Sequence, residues 1–206
     1  MPTKINDMID YFGLQESEKV RWNERIRTEK EGIYIVSTSE TPDSNSRLFD
    51  KMPISNEIIN RWINKVNGFE LDGKLTFDNV KIIERLSQFW LPDENILYIG
   101  KAPIRRNGKG LGNRVNEFYK TNYGDRRPHA GGHWLKALEV LNDLYIHYVL
   151  CNNSGEIEID MLEYFINNVS IKSKAILRDK DLMLPYGNLE LRKGQIKKHG
   201  LRGMKK

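Results

Sequence analysis

Three short β-rich runs, set far apart, constrain this chain more than any other feature. Residues 31–37, 95–100 and 144–150 are dominated by Ile, Tyr, Val and Leu, and Gly32 and Gly100 punctuate the first two. The stretches between them read mostly as helix. Ser55 is a plausible N-cap for residues 56–66, and residues 77–90 place Val80, Ile83, Leu86 and Trp90 on one face. Leu111, Val115 and Phe118 form a stripe over residues 111–120, and further helices are expected at about 133–142 and at 156–169. Before the first strand, Ile5, Met8, Ile9 and Phe12 follow helical spacing, so residues 1–30 are expected to be helical, with Gly13 as a stop. Three strands among so many helices predict an α+β domain with a small antiparallel sheet flanked by helices. A chain of 206 residues supports one such core, or one domain with an inserted piece.

Charge narrows the partners. The net charge is +5, but residues 192–206 hold seven Lys or Arg and no acid, so the rest of the chain is slightly acidic. A second cluster lies at residues 101–127, where eight basic residues face only Glu117 and Asp125. Two basic patches on such a body suit a polyanion, and they equally suit a solubilising tail and a solvated loop. A mean hydropathy of −0.61 and the lack of any apolar run near the ~20 residues of a membrane span argue against a membrane protein. No signal-peptide pattern opens the chain, so a cytoplasmic location is expected. The single cysteine, Cys151, excludes an internal disulfide and zinc sites built on paired cysteines.

Chemistry is suggested by five elements in order. Gly32-Ile33-Tyr34 and Tyr98-Ile99-Gly100 each sit on an expected strand. Leu111-Gly112-Asn113-Arg114 opens a helix, Glu158 precedes Met161-Leu162 and Phe165 on another, and Pro185-Tyr186-Gly187-Asn188-Leu189 follows. This set resembles the GIY-YIG nuclease superfamily. The resemblance implies a metal-dependent DNA endonuclease using Mg²⁺ or Mn²⁺. In it Tyr34 is the general base with Tyr98 as partner, Arg114 clamps the phosphate, Glu158 holds the metal, Lys101 supports the tyrosines, and Asn188 fixes a loop or a cleft side chain. The residues support parts of this independently. Glu158 points toward the apolar side of its helix, where a carboxylate is costly unless paired or bound to a cation. A guanidinium can hold a phosphate bidentately, although Arg114 also reads as an ordinary solvated arginine.

The sequence departs from that family in three ways. Its members join the two tripeptides by a short connection, whereas here residues 38–94 must loop out as a helical insertion, which loop-closure entropy tolerates. A histidine one turn after the arginine is replaced by Phe118, leaving Tyr119, His129 and His133 as candidate substitutes or phosphate contacts. The gap from Tyr98 to Arg114 is lengthened by the basic loop. Arg105, Arg106, Lys109, Arg126 and Arg127, with Lys197, Lys198 and Arg202 of the basic tail at 192–206, are the expected nucleic-acid contacts. Restriction or host defence is expected by analogy, and a homodimer would serve a double-strand cut. The alternatives are a DNA-binding or adaptor module that lost the chemistry, and an RNA-directed or repair nuclease.

Overall fold

The computed structural model of the chain describes residues 3–15, 17–125 and 132–203. In chain order the elements are α1 (Ile5–Tyr11), β1 (Glu18–Arg21), β2 (Gly32–Ser37), α2 (Asn56–Val66), β3 (Phe69–Leu71), β4 (Lys74–Thr76), α3 (Asn79–Ser87), β5 (Ile96–Ala102), α4 (Leu111–Lys120), α5 (Gly132–Lys136), β6 (Tyr145–Leu150), α6 (Ser154–Asn168), α7 (Ile171–Ile176) and β7 (Leu201–Arg202). The architecture is α+β. An antiparallel sheet runs in the order β1-β6-β2-β5, and a three-stranded sheet runs β4-β3-β7.

The central strand β2 is buried along its whole length because helices cover both faces of the sheet. On one side Ile33, Ile35, Ile99 and Val149 pack with Met161, Leu162 and Phe165 of α6 and with α1. On the other, Tyr34, Val36 and Leu97 join Leu111, Val115 and Phe118 of α4 and reach the aromatic residues of the insertion. Period-two alternation on β2 thus feeds two separate cores. No helix among the described residues is long and apolar enough to cross a membrane.

The three strands read from sequence all form, but the sheet has a fourth. Residues 1–30 are helical only in α1; Glu18–Arg21 is β1, paired with β6 from Glu18↔Tyr148 to Arg21↔Tyr145. It is an edge strand with only Val20 partly covered, so it carries no apolar alternation to read. Its charged side chains suit an edge that must not recruit another strand. The insertion at 38–94 is not purely helical either. Asp72 and Gly73 both take positive φ and close the β3–β4 hairpin, the turn chemistry that an Asp-Gly pair supports. In α3 the Asp78 carboxylate accepts from Val80 N and Lys81 N. The inward face is then Ile82, Arg85 and Leu86, while Val80 is exposed and Trp90 lies beyond the helix. The helix expected at 133–142 is the short α5 followed by a 3₁₀ turn at Leu141–Asp143.

The segment read as a basic tail is the largest correction. It carries β7, which pairs Glu70↔Arg202 and Leu71↔Leu201 and completes the insertion's sheet. Gly203 O accepts from Trp62 Nε1 at 2.8 Å, and His199 O accepts from Arg85 Nη1 at 2.8 Å. Arg85 also grips Asp72 through Nη1 (2.9 Å) and Nη2 (2.5 Å). A Cβ at Gly203 would come within 2.1 Å of Phe69 Cε1, so the chain passes directly over that ring.

Candidate active site

The register of β2 and β5 sets Tyr34 opposite Gly100 and Val36 opposite Tyr98, which places both tyrosines on the α4 side of the sheet. Their ring centroids are 5.8 Å apart. Gly100 makes this possible. A Cβ there would stand 2.5 Å from Tyr98 Cε1 and 2.7 Å from the Tyr34 hydroxyl, so only glycine lets both rings lie over β5. Phe118 of α4 closes the group, stacked on Tyr98 at 5.1 Å and tilted against Tyr34 at 5.9 Å. It stands where the resembled family has a histidine, and a phenyl ring cannot carry a proton.

The start of α4 is fixed by the segment before β2. Leu111 N donates to Lys30 O and Gly112 N to Thr28 O, while Gly110 N donates to the Glu29 carboxylate. Side chains at 110 or 112 would run into the carbonyls of Glu29 and Ile26. This close docking brings Arg114, one turn into the helix, toward the tyrosines. Arg114 is half-buried, and its guanidinium makes no hydrogen bond or ion pair with the described residues.

Burial governs both phenols. Tyr34 is fully buried; its hydroxyl makes no close, well-aligned hydrogen bond among the described residues, and the polar group it interacts with is the Tyr98 hydroxyl. Burial pushes its pKa well above the ordinary tyrosine value; Tyr98 adds to the rise, Arg114 opposes it and Glu158 adds a little more. Tyr98 is partly exposed and is pushed up to about 12, by burial first and then by Glu158, again opposed by Arg114. The cation facing the tyrosines is therefore Arg114, not Lys101 as expected. Lys101 lies opposite Ile33 on the α6 side, and its Nζ is 2.8 Å from Glu158 Oε2. The Lys101 backbone N–H donates to the other Glu158 oxygen at 3.1 Å. Glu158 is thus held at both oxygens by one residue, with its side chain 15% exposed.

Asn188 touches neither tyrosine hydroxyl. Its Oδ1 accepts from Ile99 N at 2.9 Å and its Nδ2 donates to Ile99 O at 2.8 Å, so it fixes the backbone of β5. The other candidates separate. The Tyr119 hydroxyl donates to Glu24 O at 3.1 Å and its ring packs on Trp22, which turns it away from the tyrosine pair. His133 is buried against Trp62 and pushed down to about 4 by that burial, so it is a neutral core side chain and not a phosphate contact. His147, expected to be structural, is buried with Nε2 2.9 Å from Ser39 O. His129, Arg126 and Arg127 lie outside the described residues.

Among the expected nucleic-acid contacts, Arg106 and Lys109 are exposed on the glycine-rich loop. Arg105 is bound bidentately to Glu117 at 2.7 and 2.6 Å. Lys197 is buried and cannot meet DNA; Lys198 is exposed but paired with Asp181, and Arg202 lies 3.9 Å from Glu70. Sequence reasoning missed Glu29 at the start of α4 and the ring role of Phe118. Only the glycines at 110 and 112 hinted at the close docking. No protein-family model, curated protein or solved structure matches this chain.

Proposed function

We propose that the chain is a metal-dependent DNA endonuclease of the GIY-YIG type. The observation that supports this most is the meeting of Arg114, whose guanidinium makes no hydrogen bond or ion pair among the described residues, with two neighbouring phenols, Tyr34 and Tyr98, whose ring centres lie 5.8 Å apart and on both of which its charge acts. A guanidinium carried by α4 beside two phenols of β2 and β5, with no carboxylate partner among the described residues, is suited to receive a phosphate. Arg114 would clamp the phosphate and offset charge building on it. Tyr34 would take the proton of the attacking water, with half-exposed Tyr98 completing the contact. Both phenols are neutral at rest, so the rate is expected to climb through pH 7 to 9 without a plateau.

Glu158 fits a single hard cation. Among the described residues its two oxygens are engaged by Lys101 alone, and a positive charge already rests on the carboxylate at 2.8 Å. Among the described residues no group of three or more His, Cys, Asp or Glu side chains lies together, so water and phosphate oxygens would complete the shell. A bound Mg²⁺ or Mn²⁺ supplies positive charge toward the phosphate oxygens. Lys101 must release the carboxylate for this to occur.

Supercoiled plasmid incubated with Mg²⁺ or Mn²⁺, beside EDTA, tests the reading. Nicking or linearisation should be lost in Glu158→Ala and fall at least about a hundredfold in Tyr34→Phe. Wild-type rates in both variants would refute the assignment. A second reading, a DNA-binding module without chemistry, draws on Phe118 in the histidine position and on Lys101 occupying Glu158. It predicts salt-sensitive gel shifts with intact DNA. RNA assayed in parallel separates the RNA-directed alternative.

A further inference from the structure

Strand β5 has β2 on one side and no strand on the other. A loop closes that free edge. Gly187 N donates to Leu97 O at 2.8 Å, and Asn188 both donates to and accepts from the backbone of Ile99. One carboxamide thus stands in for a neighbouring strand, next in sequence to Tyr98. The loop is itself held from behind. Lys197 Nζ donates to Pro185 O at 2.9 Å and to Tyr186 O at 3.1 Å, and Lys197 N donates to Leu189 O at 2.8 Å. The ammonium lies 5.7 Å from the Phe89 ring centre and 5.4 Å from that of Trp134. An apolar side chain of similar length would fill this place without the cost of burying a charge, so the lysine calls for a reason beyond packing.

We propose that Lys197 is a positioning residue of the tyrosine site: by bridging the Pro185 and Tyr186 carbonyls it holds the Gly187–Asn188 loop on β5 and so fixes Tyr98 over Gly100. The catalytic part of this inference rests on the nuclease reading above. The mechanical part stands on the hydrogen bonds alone.

The lysine's burial gives the device a pH signature. Desolvation lowers its pKa to about 7, with the Asp179 carboxylate opposing. The other charged groups nearby are His199 on the same segment, itself lowered to about 4, and Arg85 of α3, which binds His199 O. Neither changes charge between pH 7 and 9. On α5, beside Trp134, His133 is neutral in that range; Lys136 is lowered to about 8, but its ammonium donates to Tyr119 O and Thr121 O at the end of α4. When the loop lifts and Lys197 meets water it regains an ordinary lysine pKa and takes up a proton. Opening therefore becomes harder as pH rises above about 7 and is insensitive to pH below it.

Amide hydrogen exchange at Ile99 and Gly187, corrected for intrinsic rates, tests this from pH 6 to 9. In the wild type, protection should be flat below about pH 7 and rise by up to about tenfold per pH unit above it. Lys197→Met should lower protection at both amides and abolish the slope, while amides shared by β2 and β6 keep theirs. Plasmid nicking by the same variant should show a reduced kcat at unchanged KM. A flat wild-type profile overturns the proposal even if the variant does not fold, and an unchanged slope in a folded variant overturns it as well. If the wild type cuts no DNA, the nuclease reading fails while the exchange profile still decides the role of Lys197.

Discussion

Two segments rich in lysine and arginine, the loop at 101–110 and the stretch at 192–203, end in different surroundings. In the loop, Arg106 and Lys109 stand in solvent, and Arg105 is tied to Glu117. In the later stretch, Lys197 is buried under two aromatic rings, and Leu201 and Arg202 are hydrogen-bonded as β7. At the tip of the loop Gly108 has only open space around it. The later stretch intersperses Leu201, Gly200 and Gly203 among its charges, and those small or apolar positions let the backbone lie against Phe69 and Asp72. Charge density alone does not distinguish a polyanion grip from a structural strand; what lies between the charges does.

That contrast can be broken at its strong end first. Leu201→Ala should cost about 3 kcal/mol in urea unfolding, because a core leucine is lost where the insertion meets β7. A loss under about 0.5 kcal/mol would return the stretch to the status of an accessory arm. Next comes pH. The folded pKa of Lys197 is depressed, so above about 7 the unfolded chain binds more protons and stability rises with pH through this group. The gap between wild type and Lys197→Met should grow from pH 7 to 9 by at most about 1.4 kcal/mol per unit. Taking the gap cancels Lys136 and also Glu94, whose carboxyl is raised to about 8 by burial and acts in the opposite sense up to that pH.

The loop predicts smaller effects on stability. Arg105→Ala should cost about 0.5 kcal/mol, since its partnership with Glu117 is partly solvated. Replacing Arg106 and Lys109 with alanine should change unfolding by less than about 0.5 kcal/mol. Under the proposed function the same pair should flatten the salt dependence of DNA binding by about 0.9 per lost phosphate contact, read from titrations at several salt concentrations.

Much of the fold was legible where burial imposes a period. The boundaries of α2 and α4 follow directly from Ser55 and from the Leu111–Val115–Phe118 stripe, and β2, β5 and β6 fall on their apolar runs. The strand β1 was not, because an edge strand with one half-covered residue has no pattern. Nor was β7, whose two residues are made a strand only by β3. At the site, the tyrosines lie within reach of the charges of Arg114 and Glu158. Alternation along β5 already sets Lys101 on the face opposite Tyr98, so its pairing with Glu158 was within reach of the sequence. The approach of Arg114 to the tyrosines was not, because it depends on how α4 docks against the segment before β2.

The insertion's sheet has a consequence for how the chain is made. Strands β3 and β4 leave the ribosome early, whereas β7 follows only after the whole of β5, α4 and α6. At typical rates of synthesis the outer edge of β3 waits on the order of ten seconds for its partner. During that interval Glu70 and Leu71 present open backbone groups to any other nascent chain. Such an edge is where two copies can join wrongly before either is finished, and crowded expression would reveal it sooner than any assay of the mature protein.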